Sequence, residues 1–236
     1  MRIKNIVPKE IRLKLKLMQR TFLDIKKGNH SNFAKPKFQE HSFKYELALT
    51  QEIKKSYLYE NKIQNIKMAY GRIEKIVIKP NEIFSFWRII GAPNKKNGFV
   101  KGRNIVKGKL LEDYGGGLCQ LSGIIYHLAL IAGLRIIERH NHSFDIYTDE
   151  TRFTPLGADA TVVFGYKDLR VLNNYAFPIV FHFEIDENEL KIALKSEGLI
   201  PEQTIYFQKT KLKSGIEVRS INERNEVVAT SCYKNT

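Results

Sequence analysis

Cysteine is scarce: among 236 residues there are two, Cys119 and Cys232. Neither belongs to a CxxC pair, which excludes a disulfide framework and argues for a reducing compartment. Long apolar runs are missing as well, and none reaches the roughly 18 residues that span a bilayer. The opening stretch MRIKNIVPKEIRLKLKLMQR is interrupted by Lys or Arg every few positions, unlike the apolar segment of a secretion signal. The chain is therefore expected in the cytoplasm. Internal repeats and low-complexity tracts are absent, so fibrous and disordered classes fall away. No helix-turn-helix, zinc finger or aromatic-interleaved RNA motif is visible, and nucleic acid ranks last among partners.

What is present is a globular composition, 43% hydrophobic, with enough apolar residues for one domain or one plus a small appendage. The net charge of +14 is unevenly placed: residues 1–79 hold 19 Lys/Arg against 7 Asp/Glu. Such a block is either a solvated face or a contact for anionic lipid. Within it, residues 9–27 read as an amphipathic helix with Ile11, Leu15, Met18, Phe22 and Ile25 on one stripe. That stripe is expected to pack on the helix's own domain. The alternative lays residues 1–27 on an anionic membrane surface, peripherally at its inner face.

Residues 29–43 read as a connector, and Asn65 to Lys75 as a helix. KIVIKP and EIFSFWRI follow as strands around a Pro80-Asn81 turn. Glycines 91, 98, 102 and 108 mark a loop-rich approach to GGGLCQLSGIIYHLALIAG, residues 115–133. There Leu121, Ile124, Ile125, Leu128, Ile131 and Ala132 keep helical spacing, and Gly133 supplies the stop. LRIIERHNHSFDIY reads as a strand, GADATVVFGY and DLRVLNN as two more joined by a tight turn. Five strands close the chain: FPIVFHFEID, ELKIALKSE, QTIYFQKT, GIEVRSI and EVVATSCY. The expected class is α+β: N-terminal helices, a central Gly-rich loop–Cys–helix unit packed on an antiparallel sheet, and a β-rich C-terminal part.

Cys119 would sit at a helix N-terminus, where unpaired N–H groups and the helix dipole favour a thiolate. Gly115, Gly116 and Gly117 leave room for a substrate carbonyl and offer amides as oxyanion donors. His127 is eight residues along the same helix, roughly 12 Å away and too far to act as base. His142, or His140 as second choice, is better placed, because residues two apart on a strand share a face. Asp159 would orient the histidine. Gln120 and Ser122 could meet the substrate or cap the helix. Three other readings stay open: a small buried hydrophobe at Cys119, a metal pair at His140 and His142 joined by Cys119 or Asp159, and a phosphate cradle at the glycines. Glu138 and Arg139 read as a surface pair. Ser85 and Arg88 alternate with core aromatics, and no cofactor is implied.

The pieces YENKIQNIKMA, IKPNEIFSFWRIIG, GGGLCQLSGIIYH, IIERHNHS and GADATVVFGYKDLRVLNN together resemble the VanW family. They divide the chain into a basic helical region (1–58), a VanW-like core (59–176) and a β-rich extension (177–236). The resemblance implies a bacterial protein with a cell-envelope or peptidoglycan connection, the family being named for an accessory protein of glycopeptide resistance. A peptidoglycan precursor or peptide is then the expected partner. The matching positions are Gly115, Gly116, Gly117, Cys119, Gln120, Ser122, His142 and Asp159. Joined to the residue chemistry, this leads to a Cys-dependent hydrolase or acyltransferase as first expectation. A non-catalytic module that binds a ligand or membrane surface is the second.

Overall fold

The structure is a computed structural model that describes residues 7–36, 42–106, 109–145, 152 and 154–235. Helix α1 (Lys9–Lys26) starts behind Pro8, whose carbonyl accepts from Arg12 N–H at 3.1 Å. It ends where Asn29 N–H turns back to the Asp24 carbonyl at 2.9 Å. The helix lies where its periodicity puts it, but faces the other way. Ile11, Leu15, Met18, Phe22 and Ile25 are 49–68% exposed. Leu13, Leu17, Arg20 and Asp24 face the protein instead, a second stripe at the same spacing. Leu13 and Leu17 cover the turn at Gly165. Buried Asp24 accepts from Arg170 at 2.6 and 3.1 Å and from Arg88 at 3.1 Å. Arg20 donates to both oxygens of Glu138 at 3.0 and 2.6 Å. Ion pairs with buried partners decide which face docks, and apolar periodicity is blind to them.

The main sheet joins distant parts of the chain. Strand β1 (Tyr45–Glu52) pairs antiparallel with β8 (Glu189–Ser196), which pairs with β7 (Ile179–Asp186) in the order β1-β8-β7. Helices α2 (Tyr59–Ile73) and α4 (Leu118–Ile131) pack against this sheet. Ile66, Ala69 and Ile73 of α2, Leu121, Ile124, Ile125 and Leu128 of α4, and Phe181, Ile192 and Leu194 of the sheet form its core. Each fully buried Leu, Ile or Phe there contributes about 1.5–3 kcal/mol. α4 is apolar nearly all round because it is covered all round. It stops at Gly133, with Leu134 N–H bonded to the Ala129 carbonyl at 2.9 Å.

Two more sheets and a hairpin surround this layer. β2 (Ile83–Ser85), β6 (Arg170–Leu172) and β5 (Arg135–Glu138) lie in the order β2-β6-β5. β3 (Lys101–Val106) and β4 (Lys109–Tyr114) form a hairpin where the glycines suggested loop. β9 (Tyr206–Leu212), β10 (Gly215–Ile221) and β11 (Val227–Lys234) form the last sheet, order β11-β10-β9, over the small cluster of Leu156, Val218 and Tyr233. The α+β class stands.

Several expected strands are shorter or differ; KIVIKP forms no strand, only a single bridge from Ile78 to Ile179. EIFSFWRI is strand only to Ser85, then helix α3 (Phe86–Ile90). Ser85 Oγ accepts from Arg88 N–H at 3.4 Å, and the Asp168 carboxylate accepts from Trp87 N–H at 3.0 Å, so side chains cap a turn that alternation cannot announce. The strand begun at Arg135 ends at Glu138, and the last residues of that expected strand lie outside the described ones. GADATVVFGY runs beside α4 without a strand partner, except one bridge between Val163 and Lys167. Among the described residues, no helix is long and apolar enough to cross a membrane.

Candidate active site

The site is built at the start of α4. Gly117 is the N-cap with φ +98°, a left-handed conformation that a side chain would strain. Gly116 lies against the β3 backbone: a Cβ there would sit 2.6 Å from the Gly102 carbonyl carbon and 2.7 Å from its Cα. Asn65 of α2 holds the same junction, donating to the carbonyls of Gly116 at 3.0 Å and Val100 at 3.1 Å and accepting from Val100 N–H at 2.9 Å. The glycines thus let the hairpin and α2 close on the start of α4 and fix where Cys119, two residues after Gly117, projects. Gly115 N–H is occupied, donating to the Val100 carbonyl at 3.1 Å. The Gly117 and Cys119 amides lie at the start of α4, in the turn whose N–H groups find no partner within a helix.

The Cys119 thiol lies 3.6 Å from Thr161 Oγ1 and 3.8 Å from the Val162 carbonyl oxygen. The His142 ring is near enough to act on the thiol's charge, drawing the thiol down as the sulfur draws the imidazole up. Asp159 completes the line: one carboxylate oxygen accepts from both the backbone N–H and the ring Nδ1 of His142, at 2.8 and 2.6 Å. With Nδ1 so engaged, Nε2 is the nitrogen left for the sulfur. The other Asp159 oxygen accepts from Arg139 at 3.0 Å and from the Tyr233 hydroxyl. Arg139 also donates to the Asp159 and Gly157 carbonyls at 2.7 and 2.9 Å and to Ser231 Oγ at 2.5 Å, its guanidinium over the Tyr126 ring. The arginine is no surface residue; its side chain is 6% exposed.

These contacts set the charges. Burial pushes the Cys119 thiol up, but the His142 ring, the Val162 backbone and the Thr161 hydroxyl together outweigh it and leave the thiol below its ordinary value. Burial disfavours the His142 cation, yet its bonds to Asp159 and to the Cys119 sulfur hold the imidazole well above its ordinary value. Asp159 is pushed up by burial and brought down to about 2 by His142, Arg139 and Tyr233. Each of the three groups is thereby shifted toward its charged form: thiolate, imidazolium and carboxylate.

Other sequence-predicted residues are placed elsewhere. His140 Nε2 meets Glu138 at 3.1 Å, so the two histidines turn to different carboxylates. The chain has left its strand before either, and the every-second-residue rule no longer applies. Glu138 is the hub of a second cluster with Arg20, Arg170 and Asp168, brought down to about 2 by His140 and those arginines against the effect of burial. Gln120 donates to Gln51 Oε1 at 3.2 Å and the Glu52 carbonyl at 2.8 Å, tying α4 to β1. Ser122 donates to the Ala160 carbonyl at 2.7 Å, fastening α4 to the segment that carries Asp159. Both side chains are buried and bonded inside the protein, although Gln120 Oε1 is left without a hydrogen-bond partner. Ser85 donates to Asp168 at 2.7 Å, and Arg88 pairs with Asp24. Among the described residues, no three His, Cys, Asp or Glu side chains are arranged to hold a metal ion.

Sequence reasoning missed Thr161, Arg139, Ser231 and Tyr233. The last two come from β11, which also clamps the His142 segment directly: Lys234 N–H donates to the Ser143 carbonyl at 2.9 Å, and Asn141 to the Cys232 carbonyl at 2.8 Å. The last sheet is therefore part of the site. Nothing in the sequence around Tyr233 marks it out.

Fold and site together define an α+β protein whose glycine-framed helix start carries a half-buried cysteine, with a histidine and an aspartate behind it. The chain matches the family described as VanW like protein over residues 61–195 and belongs to that family. It is 34% identical over 141 residues to YoaR, an uncharacterised protein of Bacillus subtilis, a match covering 60% of this chain and 45% of that protein. It is 36% identical over 115 residues to the vancomycin B-type resistance protein VanW of Enterococcus faecalis, covering 49% and 42%. The match spans less than half the length of either relative. No solved structure matches the chain.

Proposed function

We propose that the protein is a cysteine-dependent hydrolase or acyltransferase acting on an amide or ester. The observation that carries this reading is the line from Cys119 through His142 to Asp159 at the start of α4. The Cys119 thiolate attacks the substrate carbonyl, and the oxyanion that forms is met by the Cys119 and Gly117 amides. The His142 imidazolium then gives its Nε2 proton to the departing amine or alcohol, leaving an acyl-thioester on Cys119 and a neutral imidazole. Water or an acceptor amine attacks the thioester while His142 takes the proton back, restoring the ion pair. Asp159 holds the ring throughout, and Arg139 and Tyr233 hold Asp159. The printed name of the enterococcal relative makes a peptidoglycan-derived peptide the first substrate class to try.

The test uses p-nitrophenyl acetate as a minimal acyl donor with Cys232→Ser protein, followed by intact-mass spectrometry. The reading expects one acetyl group per chain on Cys119 and a matching burst of nitrophenol, both lost in Cys119→Ala. Acetylation at Cys119 that proceeds unchanged in His142→Ala, or none at Cys119, overturns it.

A further inference from the structure

Helix α1 exposes six large apolar side chains, five of them in one stripe along its length, each of the five about half or more exposed. We propose that this face lies on an anionic lipid bilayer, so that α1 is an interfacial helix holding the domain at a membrane surface. The inference is independent of the chemistry at Cys119.

An outward apolar stripe on a single helix is unusual in a soluble domain, since a contiguous exposed apolar patch marks a contact surface. Here it runs from Ile11 through Leu15, Met18 and Phe22 to Ile25, all between 49% and 68% exposed. The rise of about 1.5 Å per residue makes the 14-residue step from Ile11 to Ile25 roughly 21 Å long. Val163 and Tyr166, in the turn that the inner face of α1 covers, are each 45% exposed as well. That turn is fixed to the helix, because Leu13 and Leu17 cover Gly165 and Arg20 donates to the Tyr166 carbonyl at 3.3 Å.

The stripe is not exposed because the helix is loose. Its inner face is locked by Arg20 on Glu138 and by Asp24 on Arg170 and Arg88. The helix is thus presented ready folded, and binding need not order it.

Charge chooses the occupant. At about 100° per residue, Lys14 flanks the stripe on one side, with Lys26 and then Arg12 on the other. Of the helix's own two acids, Asp24 is engaged inside, so Glu10 is the one acid on α1 beside Lys14 and Lys26. Apolar residues on one face with Lys and Arg at its borders is the pattern that sits at the boundary of acyl chains and anionic headgroups. A second copy of the same face would set like-charged borders against each other, and nucleic acid has no use for the apolar stripe.

The full chain is sedimented with phosphatidylcholine vesicles, with and without phosphatidylglycerol, at low and raised salt. The proposal expects binding only to the anionic vesicles, weakened by salt. Each cation near an anionic surface strengthens binding roughly fivefold, so Lys14→Glu with Lys26→Glu should weaken it at least about 25-fold. Met18→Glu with Phe22→Glu should abolish it. Both pairs are exposed, so circular dichroism and urea midpoints should match the parent. Cys119→Ala should bind like the parent, which separates this proposal from the catalytic one. No binding to anionic vesicles at low salt overturns the proposal, as does binding indifferent to Met18→Glu/Phe22→Glu. A dimer in light scattering that Phe22→Glu dissolves assigns the face to a second copy and overturns it too.

Discussion

Replacing Asp159 with Asn keeps the side chain's shape and removes its charge, and the site should lose both stability and thiol activation. The carboxylate faces two cations at short range: His142 at 2.6 Å and Arg139, 6% exposed, at 3.0 Å. Deleting one partner of a buried pair costs about 3–5 kcal/mol when the other charge is stranded. Asn retains one acceptor oxygen, so roughly 2–4 kcal/mol is expected. The carboxyl's position gives a consistent figure. Lowered from 3.8 to about 2 in the folded protein, it stabilises the fold by roughly 2 kcal/mol at neutral pH. Because its folded value is depressed, that contribution is present above pH 3.8 and is lost as pH falls through about 2. The His142 value is raised, so its share is complete below 6.5 and is lost as pH climbs through the higher folded value. Urea unfolding of wild type and Asp159→Asn, with unchanged m-values, should show the full gap at neutral pH, closing from about pH 4 toward pH 2. A difference under about 0.5 kcal/mol at pH 7, the size of an ordinary surface substitution, would refute the ion-pair account.

Three further outcomes follow from the same contacts. Tyr233→Phe removes the hydroxyl that donates to Asp159 and accepts from Gly157 N–H at 3.1 Å; it should cost about 1–3 kcal/mol in urea and slow Cys119 alkylation at neutral pH. Gly116→Ala would press a methyl into the β3 backbone at 2.6 Å, and thermal melts should show a loss of about 1–3 kcal/mol. His140→Ala, whose ring meets Glu138 rather than the sulfur, should leave the pH profile of Cys119 alkylation unchanged. A shifted profile would mean that both imidazoles reach the thiol.

Local features of the sequence carried far, and long-range ones did not. The spacing of Leu121, Ile124, Ile125 and Leu128 identifies α4, and the alternating C-terminal runs identify β7 to β11, because each pattern is complete within one element. Cys119, His142 and Asp159 stand out by residue type, and the glycines by their cost unless the backbone needs them. The docking face of α1 was hidden because two apolar stripes share one helix, and the choice rests on Asp24 meeting Arg170, 146 residues on. The capping of α3 by Asp168 depends on a partner 81 residues away. Tyr233 reaches Asp159 across 74 residues, by way of a sheet whose own strands say nothing of the site. Strand logic pointed His140 and His142 into one pocket, but the strand ends at Glu138 and each ring follows its own carboxylate.

The central claim is that Cys119 is held as a thiolate by His142. Its most direct test is the rate of Cys119 alkylation by iodoacetamide against pH, in Cys232→Ser protein with and without His142→Ala. The account predicts a reactive thiolate titrating well below the ordinary value of about 8.5, with the midpoint moving up when the imidazole is removed. A thiol that titrates at its ordinary value, or whose profile ignores His142→Ala, would contradict it and make Cys119 a packing residue of α4.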